Sequence, residues 1–209
     1  LVLHLLAIAH EAGVEPNLSD FDEISRKVPF VCNLQPSGRY PIVSLDNAGG
    51  IPAVLKTIRY ALHEDSLTVT GKTLHELLQD VEVHPDDVLK TLDHPQKPEG
   101  GIAVLHGNLA PKGAVVKQSG VNKKMYHFRG RARCFSSMEE ADAAISGDTI
   151  EKGTVIVIRY EGPKGGPGMR EMLSTTSLIM GRKMDLDVAL VTDGRFSGAT
   201  HGPCIGHVS

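Results

Sequence analysis

Over 209 residues the chain carries 22 Lys and Arg against 25 Asp and Glu, a net charge of −3 that leaves no electrostatic footprint for nucleic acid. Aromatic residues reach only 4% and Trp is absent, which disfavours base-stacking platforms, and no apolar run is long enough to span a bilayer. The length suits one large domain or two small ones with a sizeable core, and 22 Gly with 12 Pro imply many turns, hence strands rather than a pure helix bundle.

The first ninety or so residues read as helix-rich. Leu1, Leu5, Ile8, Ala9 and Ala12 recur at helical spacing up to a stop at Gly13, with no N-cap ahead of them. The chain therefore reads as starting inside a helix, as a piece of a longer protein does. Ser19 with Asp22 resembles a capping signal for a second helix. Pro29, Pro36, Gly38 and Pro41 mark a loop, Ser44 can cap a short turn, and Ile51 to Leu62 carries a helical pattern behind Gly49 and Gly50. A β-prone run, SLTVT, leads to a helix over Thr73 to Asp80.

Composition shifts near residue 93, where DHPQKPEGG reads as a linker, so the expected division is a helical region 1–93 and a β-rich region 94–209. Beyond the linker, strand character recurs at Ile102–His106, Ala114–Lys117, Met125–Phe135, Thr154–Tyr160 and Val188–Thr192. Ser136 or Ser137, followed by Glu139 and Glu140, caps a helix through Ile145. The fold class is α+β, with a mainly β second half that suits a small barrel flanked by helices.

Cys32, Cys134 and Cys204 are odd in number and far apart, with no C-x-x-C spacing, which argues against a disulfide framework and for buried, unreactive thiols in a reducing compartment. The ten His residues show no H-E-x-x-H pattern and read as surface or helix-end residues. His4 and His10, six apart, do not share a helix face. Lys123-Lys124 and Arg129–Arg133 read as solvated faces.

Two segments have the composition of a site. The buried-strand pattern TVIVIRY runs into EGPKGGPGMREM, and strand, glycine loop, helix is a geometry that brings backbone close to a ligand. The loop lacks the GK[ST] ending of a phosphate loop, Pro163 and Pro167 remove N–H donors, and Glu161 and Glu171 add negative charge. A divalent cation, which takes carboxylate and carbonyl oxygens, suits it better than an anion. Glu171 is open to two readings, a cap at a helix start or a metal ligand. DGRFSG follows the strand Val188–Thr192 and places Ser197 on a tight turn at a strand's carboxyl end, where Ser197 either braces the turn or takes part in chemistry. Arg195 stands where the G-x-S-x-G elbow needs glycine, so that motif is excluded.

At these loops the sequence resembles the family of dihydroxy-acid and sugar-acid dehydratases. The matching stretches are VLHLLAIAHEAG, PSGRY, AGGIPAVLK, TVTGKTL, PEGGIAVLHGNLAPKGAVVK, RYEGPKGGPGMREM and TDGRFSG, which together cover essentially the whole chain. The resemblance implies the helical tail of an amino-terminal α/β domain followed by a β-barrel-like swivelling domain. It implies dehydration of 2,3-dihydroxy carboxylic acids to 2-keto acids in valine and isoleucine biosynthesis, with Mg2+ and an iron–sulfur cluster as cofactors. By the same resemblance Glu171 is a magnesium ligand, Ser197 the general base that also binds substrate, and Thr200 a substrate-side neighbour. The family's cluster cysteines lie in motifs upstream of Leu1, so no cluster ligand is expected in this chain, and the chain alone is expected to be inactive. A serine hydroxyl is too weak an acid to serve as base unaided, so positive charge is expected close to Ser197. The partners implied are a small-molecule dihydroxy acid and a second copy in a homodimer, with neither nucleic acid nor membrane. The setting implied is cytoplasmic, or an organelle matrix in a eukaryote. An aldonate dehydratase of the same family and a non-catalytic ligand-binding swivelling domain are the alternatives.

Overall fold

The computed structural model describes residues 1–164 and 168–209. Contacts divide these into two units, one made of 1–23 with 101–209 and the other of 24–100. Among the described residues there are seven α-helices, three short 3₁₀ helices and six strands. No described helix is long and apolar enough to cross a membrane.

The opening apolar periodicity forms α1 (Val2–Glu11), and α2 (Leu18–Lys27) follows. The start of α2 differs from the expected cap. The Asp20 carboxylate accepts from the Asn17 N–H at 2.8 Å, leaving Ser19 inside the helix. Asp22 instead accepts from the Val104 N–H at 2.9 Å, tying this segment to the first strand of the sheet.

Unit 24–100 is built from short helices, α3 (Ile42–Asn47), α4 (Gly50–Thr57) and α5 (Leu74–Leu78). Ser44 lies within α3 rather than capping it, because Pro41, extended and without an N–H, occupies the position before the helix. Gly49, at φ +102°, turns the chain between α3 and α4 where a Cβ would stand 2.7 Å from that of Ala53. The helix expected over Thr73–Asp80 is α5, held by a reciprocal capping box between Thr73 and Glu76. SLTVT forms no strand and contributes an isolated bridge, Leu67 to Thr73, around a tight turn. Val31, Leu45, Ala48, Ala53, Val88 and Leu89 make this unit's core.

The other unit carries one mixed sheet of β1 (Ala103–Leu105), β2 (Ala114–Val116), β3 (Arg131–Phe135), β4 (Thr154–Ile158), β5 (Ala189–Thr192) and β6 (Cys204–Gly206). Their order is β1-β2-β6-β5-β4-β3. The β1–β2 and β2–β6 pairs are antiparallel, and β6, β5, β4 and β3 run parallel to one another. Every residue of β5 is buried, as a central parallel strand covered on both faces requires. Helices α6 (Met138–Ser146) and α7 (Leu173–Gly181) are the crossovers on either side of β4, and they pack on each other. Ser137 caps α6 by accepting from the Glu140 N–H at 3.2 Å. Ile145, Ile156, Ile158, Met172, Ile179 and Leu190 lie at the centre of the core between helices and sheet.

Two strand expectations change. Of Met125–Phe135 only the last five residues pair, because Lys123–Met125 turns as a 3₁₀ helix capped by Asn122. The strand β6 falls in HGPCIGH, where Gly202, Pro203 and Gly206 hide any alternation, and its place follows from pairing on both sides.

Candidate active site

The strands β4 and β5 are parallel neighbours, so the loops that leave them emerge at the same edge of the sheet, where open α/β sheets bind ligands. The first loop is organised by charge. Glu161, 2% exposed, accepts from the Met138 N–H at 2.7 Å and from Arg170 Nη1 at 3.3 Å. Arg170 forks onto Glu139, with Nη2 donating at 2.6 Å and Nη1 at 3.1 Å. The hydrogen bond from Arg170 is the main reason the Glu139 carboxyl is held down at about 2. From the second loop, the Asp193 carboxylate accepts from the N–H groups of Tyr160 at 3.2 Å and Glu161 at 3.1 Å. Glu161, expected as negative charge for a cation, is thus already committed to Arg170 and the start of α6.

Backbone bonds then lay the two loops side by side. The Arg195 N–H donates to Arg170 O at 2.9 Å and the Met172 N–H to Arg195 O at 3.0 Å, a parallel bridge that pairs Glu171 with Arg195. Gly194 permits this approach, since a Cβ there would stand 2.8 Å from Arg170 O.

Glu171 does not cap α7. The residue before that helix is Met172, and no side chain bonds to the helix start. The half-buried Glu171 carboxylate makes no hydrogen bond or ion pair with any described residue. An uncommitted carboxylate at a strand edge fits one position around Mg2+, an ion commonly held by one or two carboxylates with water and substrate oxygens completing the shell. Residues 165–167, including Pro167, lie outside the described residues.

Ser197 is half-buried, and its Oγ accepts from the Ala199 N–H at 3.2 Å. This is the turn-bracing bond, so the turn reading of Ser197 holds as local geometry. Ser197 also lines a cavity of about 300 Å³ together with Thr200, Lys117, Arg195, Phe196 and His207. The Lys117 ammonium donates to Gly198 O and to Thr200 O, the latter at 3.4 Å, gripping the turn that carries both sequence-derived residues. From the same side, a Cβ at Gly120 would stand 2.8 Å from Thr200 O, and the Gly202 N–H donates to Gly120 O at 3.0 Å. The His207 N–H donates to Gly194 O at 2.8 Å, and burial above all pushes its imidazole down to about 4.

The structure therefore brings Glu171 beside Arg195, two residues from Ser197, and puts Thr200 in the same cavity as Ser197. Lys117, Arg195 and His207 were not singled out from sequence. Lys117 ends an unremarkable strand pattern, Arg195 entered only as a reason to exclude a motif, and His207 stands beyond any recognisable element. The cysteines sit on separate elements, Cys32 in unit 24–100, Cys134 in β3 and Cys204 in β6. Burial raises the thiols of Cys32 and Cys204, the latter to about 12, whereas Cys134 is exposed, so the expectation of a buried thiol fails there. Cys134 is exposed because β3 is an edge strand of the sheet. Among the described residues no three or more His, Cys, Asp or Glu gather as a group that could hold a metal ion.

Comparison with known proteins adds the family. Residues 87–209 match the carboxyl-terminal region, and residues 1–77 the amino-terminal region, of the dihydroxy-acid/6-phosphogluconate dehydratases. The whole chain is 58% identical to a dihydroxy-acid dehydratase of Ignicoccus hospitalis, and 53% identical to one of Aquifex aeolicus. It is also 58% identical, again over its whole length, to one of Caldanaerobacter subterraneus subsp. tengcongensis. It spans 38% of the length of each of these relatives. The chain belongs to the dihydroxy-acid/6-phosphogluconate dehydratase family.

Proposed function

We propose that this chain supplies part of the active site of a hydro-lyase that converts 2,3-dihydroxy carboxylic acids to 2-keto acids in the biosynthesis of branched-chain amino acids. The observation that carries the reading is the bridge between Glu171 and Arg195, which sets an uncommitted carboxylate beside the turn bearing Ser197 at the carboxyl edge of β4 and β5. Family membership and relatives named dihydroxy-acid dehydratase support the reaction class.

In this reading Ser197, as its alkoxide, takes the proton from C2 of the substrate, the 3-hydroxyl leaves and receives that proton back from Ser197 to depart as water, and the resulting enol tautomerises to the keto acid. Lys117 and Arg195 supply the positive charge that an alkoxide-like serine needs, and Lys117 fixes the turn through two carbonyl groups. Thr200 faces the substrate from the same cavity. Glu171 holds Mg2+, which when bound neutralises charge developing on the carboxylate side of the substrate. An iron–sulfur cluster belongs to the proposal as a cofactor held by residues outside 1–209. The barrel-like swivelling domain belongs to the proposal by the family resemblance, and the mixed six-stranded sheet with its flanking helices is what supports it. The homodimer and the cytoplasmic or organelle-matrix setting rest on the family resemblance.

The test is Ser197→Ala in the full-length protein carrying this chain, reconstituted without oxygen and assayed on 2,3-dihydroxyisovalerate. Loss of a general base is expected to lower kcat by about a hundredfold to ten-thousandfold with thermal stability kept. Turnover near the unsubstituted level would remove Ser197 from the mechanism. Conversion of an aldonate in place of 2,3-dihydroxyisovalerate would move the substrate assignment to the sugar acids.

A further inference from the structure

One carboxylate ties the two loops together at their roots. Asp193 is the first residue after β5, and its side chain accepts from two successive backbone donors at the exit of β4. The Tyr160 N–H meets Oδ2 at 3.2 Å and the Glu161 N–H meets Oδ1 at 3.1 Å. Hydrogen bonds to an ionised group, made through both of its oxygens, fix direction as well as distance. Tyr160 stands at φ +66°, a left-handed conformation that an aromatic residue adopts at a cost, and such a turn is what lets successive N–H groups converge on one anion. The fit is close, since a Cβ at Gly162 would stand 2.9 Å from Asp193 O and 3.1 Å from Asp193 Oδ2. One residue on, the Gly194 N–H donates to Thr192 Oγ1 at 3.0 Å. The peptide that leaves Asp193 is therefore fixed in direction, and it runs straight into the bridge that pairs Arg195 with Glu171. Two more residues here share the left-handed backbone, Met169 at φ +54° beside Arg170 and His207 at φ +56° against Gly194 O. Strained backbone of this kind persists where surrounding contacts over-determine it, and it gathers at functional sites.

We propose that Asp193 is a positioning residue that sets the spacing between the Glu171 carboxylate and the Ser197 hydroxyl, a role that rests on the dehydratase reading. Asp193 acts through the backbone, because both of its oxygens are turned to N–H groups of the loop after β4. Glu171 stands on one arm of the bridge, and Ser197 follows two residues beyond the other. Without the carboxylate, the arm that carries the base is no longer registered against the arm that carries the metal ligand. A displacement of about 1 Å in such a register costs on the order of a hundredfold in rate.

The test follows metal affinity and turnover together in the full-length protein, with Mn2+ standing in for Mg2+ so that the bound ion is counted by electron paramagnetic resonance. Asp193→Ala is expected to weaken Mn2+ binding about tenfold and to lower kcat about a hundredfold, with KM within about threefold. Asp193→Asn, whose amide oxygen still accepts from one of the two N–H groups, is expected to restore part of both losses. An Asp193→Ala protein that folds with both quantities unchanged, or that loses only thermal stability, overturns the proposal. A fall in one quantity alone overturns it too, because Asp193 would then serve a single arm of the bridge. If Asp193→Ala does not fold, Gly162→Ala decides, since its Cβ presses on Asp193 and leaves the carboxylate in place. A fall in both quantities there upholds the role, and unchanged values overturn it. Mn2+ affinity that depends on Asp193, in a protein that dehydrates no dihydroxy acid, would keep the registration of Glu171 and remove the proposed reaction. Turnover and Mn2+ affinity both indifferent to Asp193 would do the reverse.

Discussion

The loops that leave β4 and β5 start from adjacent parallel strands and meet in one backbone bridge, yet they are held by different means. The loop after β4 is fixed from beneath by ionised side chains, with Glu161 buried under Arg170 and the Asp193 carboxylate closing on two N–H groups. The loop after β5 is fixed from the side by one ammonium group and a close-packed glycine, and it keeps its own side chains facing a cavity. The difference teaches a division of labour. Charges in the first loop are mostly spent on structure, which leaves Glu171 as its uncommitted carboxylate. In the second loop Asp193 is spent on the first loop, and beyond it the backbone is gripped while Arg195, Ser197 and Thr200 line the cavity.

The largest effect expected from breaking this arrangement comes from Glu161→Leu. The substitution strands the Met138 N–H and leaves Arg170 with the exposed Glu139 alone, so the loss should be about 3 kcal/mol in equilibrium urea denaturation at neutral pH. A cost below about 1 kcal/mol would show that the first loop does not depend on its buried charge. A smaller stability effect but a clearer catalytic one is expected from Lys117→Met. Releasing Gly198 O and Thr200 O should cost about 1–2 kcal/mol and lower kcat of the full-length protein about tenfold, with little change in KM. Gly120→Ala should follow the same pattern, because its Cβ would push on Thr200 O. If both variants raise KM instead, the turn binds substrate without aligning Ser197.

Much of this frame was legible in the sequence, and the limits have physical causes. Local pattern placed α5, α6, β4 and β5: the helical run over Thr73 to Asp80, Ser137 with Glu140, TVIVI, and the unbroken run into Thr192. The strand β6 was invisible because Cys204–Gly206 is a strand only by virtue of partners on both sides. Glu171 and Ser197 were found by composition and resemblance, but their adjacency depends on a bridge between residues 24 apart, which no local signal encodes. Lys117 was missed for the same reason. Its role exists only where the chain returns after about eighty residues to offer two carbonyl groups. Glu161 illustrates the converse, a residue whose charge was legible and whose partner was not.

The smallest effects should separate the two loops by pH. Glu139 and His207 both have folded-state values below their ordinary ones, about 2 against 4.5 and about 4 against 6.5. In each case the unfolded chain binds a proton more readily than the folded one, so stability rises with pH across the interval and is complete above the ordinary value. For His207 the loss on acidification therefore runs from pH 6.5 down to 4, and for Glu139 from 4.5 down to 2. The His207 step should be on the order of 1 kcal/mol once solvent screening is allowed for, and the Glu139 step shallower, because that ion pair is exposed. Denaturation curves from pH 8 to pH 2.5 should show both steps. His207→Asn should flatten only the upper one and Glu139→Gln only the lower. A single variant that flattens both would mean that the loops respond as one electrostatic unit, and the division between a charge-braced loop and a ligand-facing loop would have to be given up.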